Sequence, residues 1–173
     1  TLYVFYIRII FLHLVHSKNL HISLAGQNRI ATLDNMAARG MVIVSRCILC
    51  KRDMETAKHL FFHCAYSRES LCKAFNWIGV TGLGYNLKYI LQWVARKSRK
   101  KHWKSRWLQS TIAGLVYHIW QERNNRIFKE IERPPDTILK LLKEHIYIRI
   151  SSYVPLSFKH LVVVLDPSIP LVV

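Results

Sequence analysis

Five residues between positions 47 and 64 have the types and spacing of metal chemistry: Cys47 and Cys50, then His59, His63 and Cys64 in CILCKRDMETAKHLFFHC. A C-x2-C pair lets two thiolates from one tight turn reach a single ion, and a structural zinc site completes its tetrahedron with two more soft or borderline ligands. His59 is the natural third ligand. The fourth is open between His63 and Cys64. On an unbroken α-helix His63 lies four residues from His59 and shares its face, whereas Cys64, five residues on, sits about 140° away. Zinc sites nevertheless accept three to five intervening residues where a helix loosens, and a thiolate is the softer ligand. Chemistry therefore favours Cys64, with His63 the alternative, and requires a helix that loosens after Phe62. Three thiolates around Zn2+ leave a net charge of about −1, which Lys51, Arg52 and Lys58 in the intervening loop would offset. The competing reading is a buried helix with incidental cysteines, since free Cys is common in cores. Cys72, eight residues beyond Cys64 on an expected helix, suits a small core residue better than a ligand.

The elements around these residues follow from local pattern. Thr32 is placed to cap a short helix with Asp34 in its first turn, and Gly40 to stop it in the left-handed region. MVIVSR reads as a short β-branched strand leading into Cys47. YSRESLCKAFNWIG reads as a helix with Ser67 as N-cap, an apolar stripe of Leu71, Phe75 and Ile78, and Gly79 at its end. LKYILQWVARK has helical spacing. A long helix is expected from Trp103 to Lys129, because Leu108, Ile112, Leu115, Val116 and Ile119 recur at three- and four-residue steps. After the ERPPD loop, Asp136 or Thr137 would cap a last helix, with Ile138, Leu141, Leu142, His145 and Ile146 on one face. The fold class expected is mainly α, with a small zinc-knuckle-like lobe packed among helices. Four stretches follow: an apolar N-terminal segment 1–26, a zinc-binding domain 27–80, a basic helical extension 81–155, and a tail 156–173 expected to lack structure.

The run from Gln27 to Trp77, with RIATLDNMAARG, CILC, ETAKHLFFHC and AYSRESL, resembles the reverse-transcriptase zinc-binding domain. That domain lies downstream of the polymerase in LINE-type retroelements and their remnants, abundant in plant genomes. The likeness extends more loosely through VYHIWQERNNRIF and PPDTILKLLKEHI. It implies Cys47, Cys50, His59 and Cys64 as the ligands of a structural zinc ion. It also implies an accessory, non-catalytic role beside a polymerase, and a nuclear or cytoplasmic location. The apolar opening and the last dozen residues do not match the family pattern.

Charge points the same way. The 173 residues hold 26 Lys and Arg against 10 Asp and Glu, a formal charge of +16. Such an excess calls for an anionic partner, with nucleic acid or an acidic membrane as the usual candidates. WVARKSRKKHWKSRW concentrates Arg96, Lys97, Arg99, Lys100, Lys101, Lys104 and Arg106 without an acidic residue, and interleaves Trp93, Trp103 and Trp107. Cations for phosphates beside flat rings for bases compose a nucleic-acid surface, for RNA or DNA alike. The same residues would also serve as a solvated linker whose tryptophans anchor neighbouring helices. QERNNRIF could read nucleic-acid edges or simply finish a helix. The apolar run Leu2–Val15 is short of the ~20 residues of a spanning helix and carries Arg8 in its middle, which favours a buried element over a membrane anchor. The ten carboxylates include no Asp-Asp pair, and no phosphate loop, G-x-S-x-G or H-E-x-x-H occurs, so no small-molecule substrate is expected. The remaining alternative is a zinc-stapled structural or protein-interaction domain, as a functional part or a relic of a retroelement.

Overall fold

The computed structural model describes residues 31–41, 46–80 and 103–150, with the side chains of 103–106, 109 and 148–150 left aside. In chain order the elements are α1 (Leu33–Ala37), a π-helical turn (His59–His63), α2 (Ala65–Trp77), α3 (Trp103–Lys129) and α4 (Pro135–Ile150). The fold is mainly α. Among the described residues there is no strand, only an isolated antiparallel bridge between Arg46 and Met54 that closes the base of the knuckle.

The expected apolar stripes become the core. Ile112, Leu115, Val116 and Ile119 of α3 meet Ile138, Leu142 and Ile146 of α4, and Leu71, Ala74 and Phe75 of α2. These faces are continuous with Leu49, Leu60, Phe61 and Phe62 of the knuckle, so zinc lobe and helices share one apolar interior. Complete burial of one such side chain contributes about 1.5–3 kcal/mol. Trp107, half-buried, meets Trp77 edge-on at 5.9 Å between ring centroids, and Tyr147 reaches the same Trp77 at 6.4 Å. Trp107 thus anchors α3 to α2. Among the described residues no helix is long and apolar enough to cross a membrane; Leu2–Val15 lies outside them.

Three expected caps are displaced. The Thr32 hydroxyl bonds the Asp34 carboxylate, while the Leu33 amide donates to Glu55 Oε1 at 3.1 Å. A buried carboxylate from the zinc lobe therefore caps α1. Ser67 does not cap α2: the helix starts at Ala65, and the Ser67 hydroxyl turns inward to the Leu60 carbonyl. Neither Asp136 nor Thr137 caps α4, which opens on Pro135. Proline at the first helical position loses nothing, because its missing N–H would have had no intrahelical partner. Gly40, at φ +83°, turns the chain after α1 as expected. Of the expected strand only Met41 and Arg46 lie within the described residues. The LKYILQWVARK segment and the tail lie outside them.

Candidate metal centre

The knuckle is built by the turn after Cys47. The Lys51 amide donates to the Cys47 carbonyl at 2.7 Å, and the Cys47 amide returns to the Asp53 carbonyl at 2.8 Å. Lys51 takes φ +59°, a conformation L-residues rarely adopt, and so reverses the chain directly after Cys50. Both thiols of the pair then face the π turn.

The π turn decides the register of the other two ligands. The Cys64 amide donates to the His59 carbonyl at 2.7 Å, closing an i→i+5 ring. Winding the backbone this loosely brings the fifth residue round to the face of the first. His59 and Cys64 consequently point inward together, and His63 is exposed. The loosening spans the whole of His59–His63 rather than beginning after Phe62.

Cys47, Cys50, His59 and Cys64 bring one ligand atom each to within 4.8 Å of one another. Cys47 Sγ and Cys64 Sγ are 3.9 Å apart, and Cys50 Sγ is 3.3 Å from His59 Nε2. Tetrahedral zinc with Zn–S bonds of ~2.3 Å separates two sulfurs by about 3.8 Å, and a sulfur from an imidazole nitrogen by about 3.6 Å. The donor set fits zinc in both type and spacing. Cys72, half-buried on α2, is outside this group.

Electrostatics favour a thiolate at Cys64. The Cys64 thiol is held down to about 5, first by its hydrogen bond with Cys47 and then by the Ser67 and Tyr66 amides at the start of α2. Its partner Cys47 is pushed up, by that same hydrogen bond and by burial, so the pair shares a single proton until a cation displaces it. The Cys50 and Leu49 amides turn towards Cys47 and lower the cost of its charge. Behind the imidazole, His59 Nδ1 faces Asp53 Oδ2 at 3.7 Å. A carboxylate there orients the ring and fixes Nε2 as the ligating nitrogen. Sequence reasoning missed Asp53; an acidic residue three positions beyond the C-x2-C pair was the available signal.

A second feature escaped the sequence. Within QERNNRIF, Glu122, Arg123 and Asn125 are buried rather than turned to solvent. Arg123 is 2% exposed and grips Glu55, itself fully buried, with its Nη2 2.8 Å and its Nε 3.1 Å from Oε1. Arg126 donates to Glu122 at 2.8 Å, to the Leu49 carbonyl at 3.3 Å and to the Arg133 carbonyl at 3.2 Å, and stacks over Tyr66. The two arginines fasten α3 to the zinc lobe. Of the basic run, Arg96, Lys97, Arg99, Lys100 and Lys101 lie outside the described residues, as do the side chains of Lys104 and Arg106.

With this geometry in place, comparison with known proteins gives one result. Residues 6–70 match the family model of zinc-binding in reverse transcriptase, so most of the apolar opening, expected to fall outside the family pattern, lies within the match. The matched segment contains all four ligands, and the family's cofactor is zinc. It stops within α2, so α3, which supplies Arg123 and Arg126, and α4 lie beyond it. Comparisons with curated proteins and with solved structures find no match.

Proposed function

We propose that this chain is a zinc-ordered nucleic-acid-binding module of a retroelement reverse transcriptase of the LINE type found in plants, without catalysis of its own. What supports the reading most directly is the charge balance beside a closed site. The +16 already sets every carboxylate against a cation, so the buried pairs of Glu55 with Arg123 and Glu122 with Arg126 leave the whole excess on the rest of the chain. The cations that remain suit phosphates. Four protein ligands leave zinc no open position for an activated water, which favours an ordering role over hydrolysis. Within the module, Arg96, Lys97, Arg99, Lys100, Lys101, Lys104 and Arg106 hold RNA or DNA, and the location follows the nucleic acid, nuclear or cytoplasmic.

The test is binding of single-stranded RNA and DNA across a salt series. A log–log slope of about −0.7 per phosphate contacted is expected, and a slope near zero would sink the reading. One observation favours the alternative, a zinc-stapled protein-interaction domain. Phe128 is 74% exposed at the end of α3, with Ile131 exposed just beyond. Zinc-dependent binding to a polymerase fragment, insensitive to salt, would select that alternative.

A further inference from the structure

Zinc is held between two pieces of chain, and these must part for it to leave. Cys47 and Cys50 belong to the knuckle turn, whereas His59 and Cys64 belong to the π turn that runs on into α2. One side chain from α3 meets both pieces. Arg126 Nη1 donates to the carbonyl of Leu49, which lies between the two cysteines of the knuckle turn, at 3.3 Å. The guanidinium carbon of the same residue lies 4.7 Å from the centre of the Tyr66 ring, at the start of α2 just past Cys64. A movement that separates the two halves of the site must break one of these contacts.

Arg126 is itself held firmly. Its Nε donates to Glu122 Oε1 at 2.8 Å and its Nη2 to the Arg133 carbonyl at 3.2 Å. The Arg126 side chain is 8% exposed and that of Glu122 0%, so solvent screens this pair little. The loop after α3 closes over the same groups. The Arg133 amide donates to Glu122 Oε1 at 2.7 Å, and the Tyr66 hydroxyl donates to the Arg133 carbonyl at 2.7 Å. Glu132 of that loop also reaches Lys51, directly after Cys50, at 3.2 Å, but both side chains are more than half exposed and such a pair contributes little. Arg126 therefore carries the connection. A guanidinium can serve Glu122, Leu49 and Arg133 together because its donors stand in a rigid planar fork, which an ammonium lacks.

We propose that Arg126 latches the metal centre and sets how fast zinc leaves it. Arg126 is a positioning residue: it acts through the Leu49 carbonyl and the Tyr66 ring rather than on the ion. The latch comes from α3 and the loop beyond it, outside the segment that the family model matches. Residues 6–70 thus supply all four ligands, and the helical extension supplies their retention. The four donors fix where zinc binds, and Arg126 opposes the opening through which it exchanges.

The experiment follows zinc transfer from the full zinc-loaded chain to an excess of chromogenic chelator, with urea midpoints measured on the same samples. Arg126→Lys keeps a cation beside Glu122 but gives up the fork. It is expected to speed zinc release about tenfold, the low end of what contacts behind metal ligands contribute, because it acts at one remove from the donors. Glu122→Gln/Arg126→Gln takes away both charges together, leaves neither stranded, and should accelerate release likewise if the lysine variant folds poorly. Ile146→Val loosens the shared core without touching the latch, so it measures what a merely structural loss does. Its urea midpoint should fall while its release rate stays near that of wild type. Release at the wild-type rate in both Arg126 variants overturns the inference, and so does an equal acceleration in Ile146→Val. A wild-type chain that takes up no zinc removes the metal centre and the latch with it.

Discussion

At the scale of single residues, the centre depends on which atom of each side chain looks inward. Cys64 reaches the cluster and His63 does not, so the two are separable by substitution. Cys64→Ser should lose stoichiometric zinc, measured by metal analysis of purified protein, while His63→Ala keeps it. The reverse pattern would mean that the π turn rewinds to α when the metal binds. Asp53 permits a finer test. A carboxylate behind a metal-bound imidazole typically contributes 10–100-fold in affinity, and Asp53 is 72% exposed at 3.7 Å, which puts it at the low end. Asp53→Asn should therefore weaken zinc binding about tenfold in a competitive chelator titration; equal affinity would take Asp53 out of the site. The ligand types and their C-x2-C spacing were legible in the sequence because thiolate chemistry restricts the choice so strongly. The mechanism that selects Cys64 was not, since a π turn leaves no periodicity that distinguishes HLFFH from an α-helical turn.

At the scale of elements, the apolar stripes of α3 and α4 were readable because burial writes a 3.6-residue period into the chain. The polar seams were not readable, since a buried Arg and a solvated one look alike in sequence. Arg123, within QERNNRIF, could have read bases on sequence grounds, yet it closes on Glu55 across 68 positions. Arg123→Ala strands a fully buried carboxylate that also caps α1, and should cost about 3–5 kcal/mol in denaturant unfolding. A loss under 1 kcal/mol would show that water reaches Glu55. The α3–α4 seam carries a second polar contact. His118 Nε2 lies 2.9 Å from His145 Nδ1 with the rings stacked, and burial together with the His145 charge pushes the pKa of His118 down to about 3. The nearby Gln121 side chain partly opposes that shift, while Arg133 adds to it. A depressed histidine contributes stability that is complete above the unfolded value near 6.5 and is lost as pH falls towards 3. Between pH 7 and pH 5 wild type should lose about 2 kcal/mol more than His118→Gln, compared by urea midpoints; parallel losses would place the acid sensitivity elsewhere.

At the scale of the whole molecule, the question is whether the zinc lobe is a separate knob or part of the helical body. The family match closes at residue 70, which suggests a boundary within α2. The packing has no boundary there. Cys47 and Cys64 belong to the same buried cluster as Ile112, Leu115 and Ile146, and the arginines of α3 close over the knuckle. Metal binding that organises a lobe is folding free energy for whatever shares its core, and zinc-finger peptides gain about 10–16 kcal/mol from it. Only the part exceeding residual order in the metal-free lobe appears as stability, but at ~2–4 °C per kcal/mol even a third of that is a large shift. Chelation should therefore lower the thermal midpoint of the helical circular dichroism signal by roughly 10 °C or more, in one transition. Re-addition of zinc should restore it. The outcome that would break the argument is two transitions, a chelator-sensitive one of small amplitude and an unmoved helical one. In that case Glu55 and Arg123 would join two independent units, and the extension beyond residue 70 would not depend on metal for its shape.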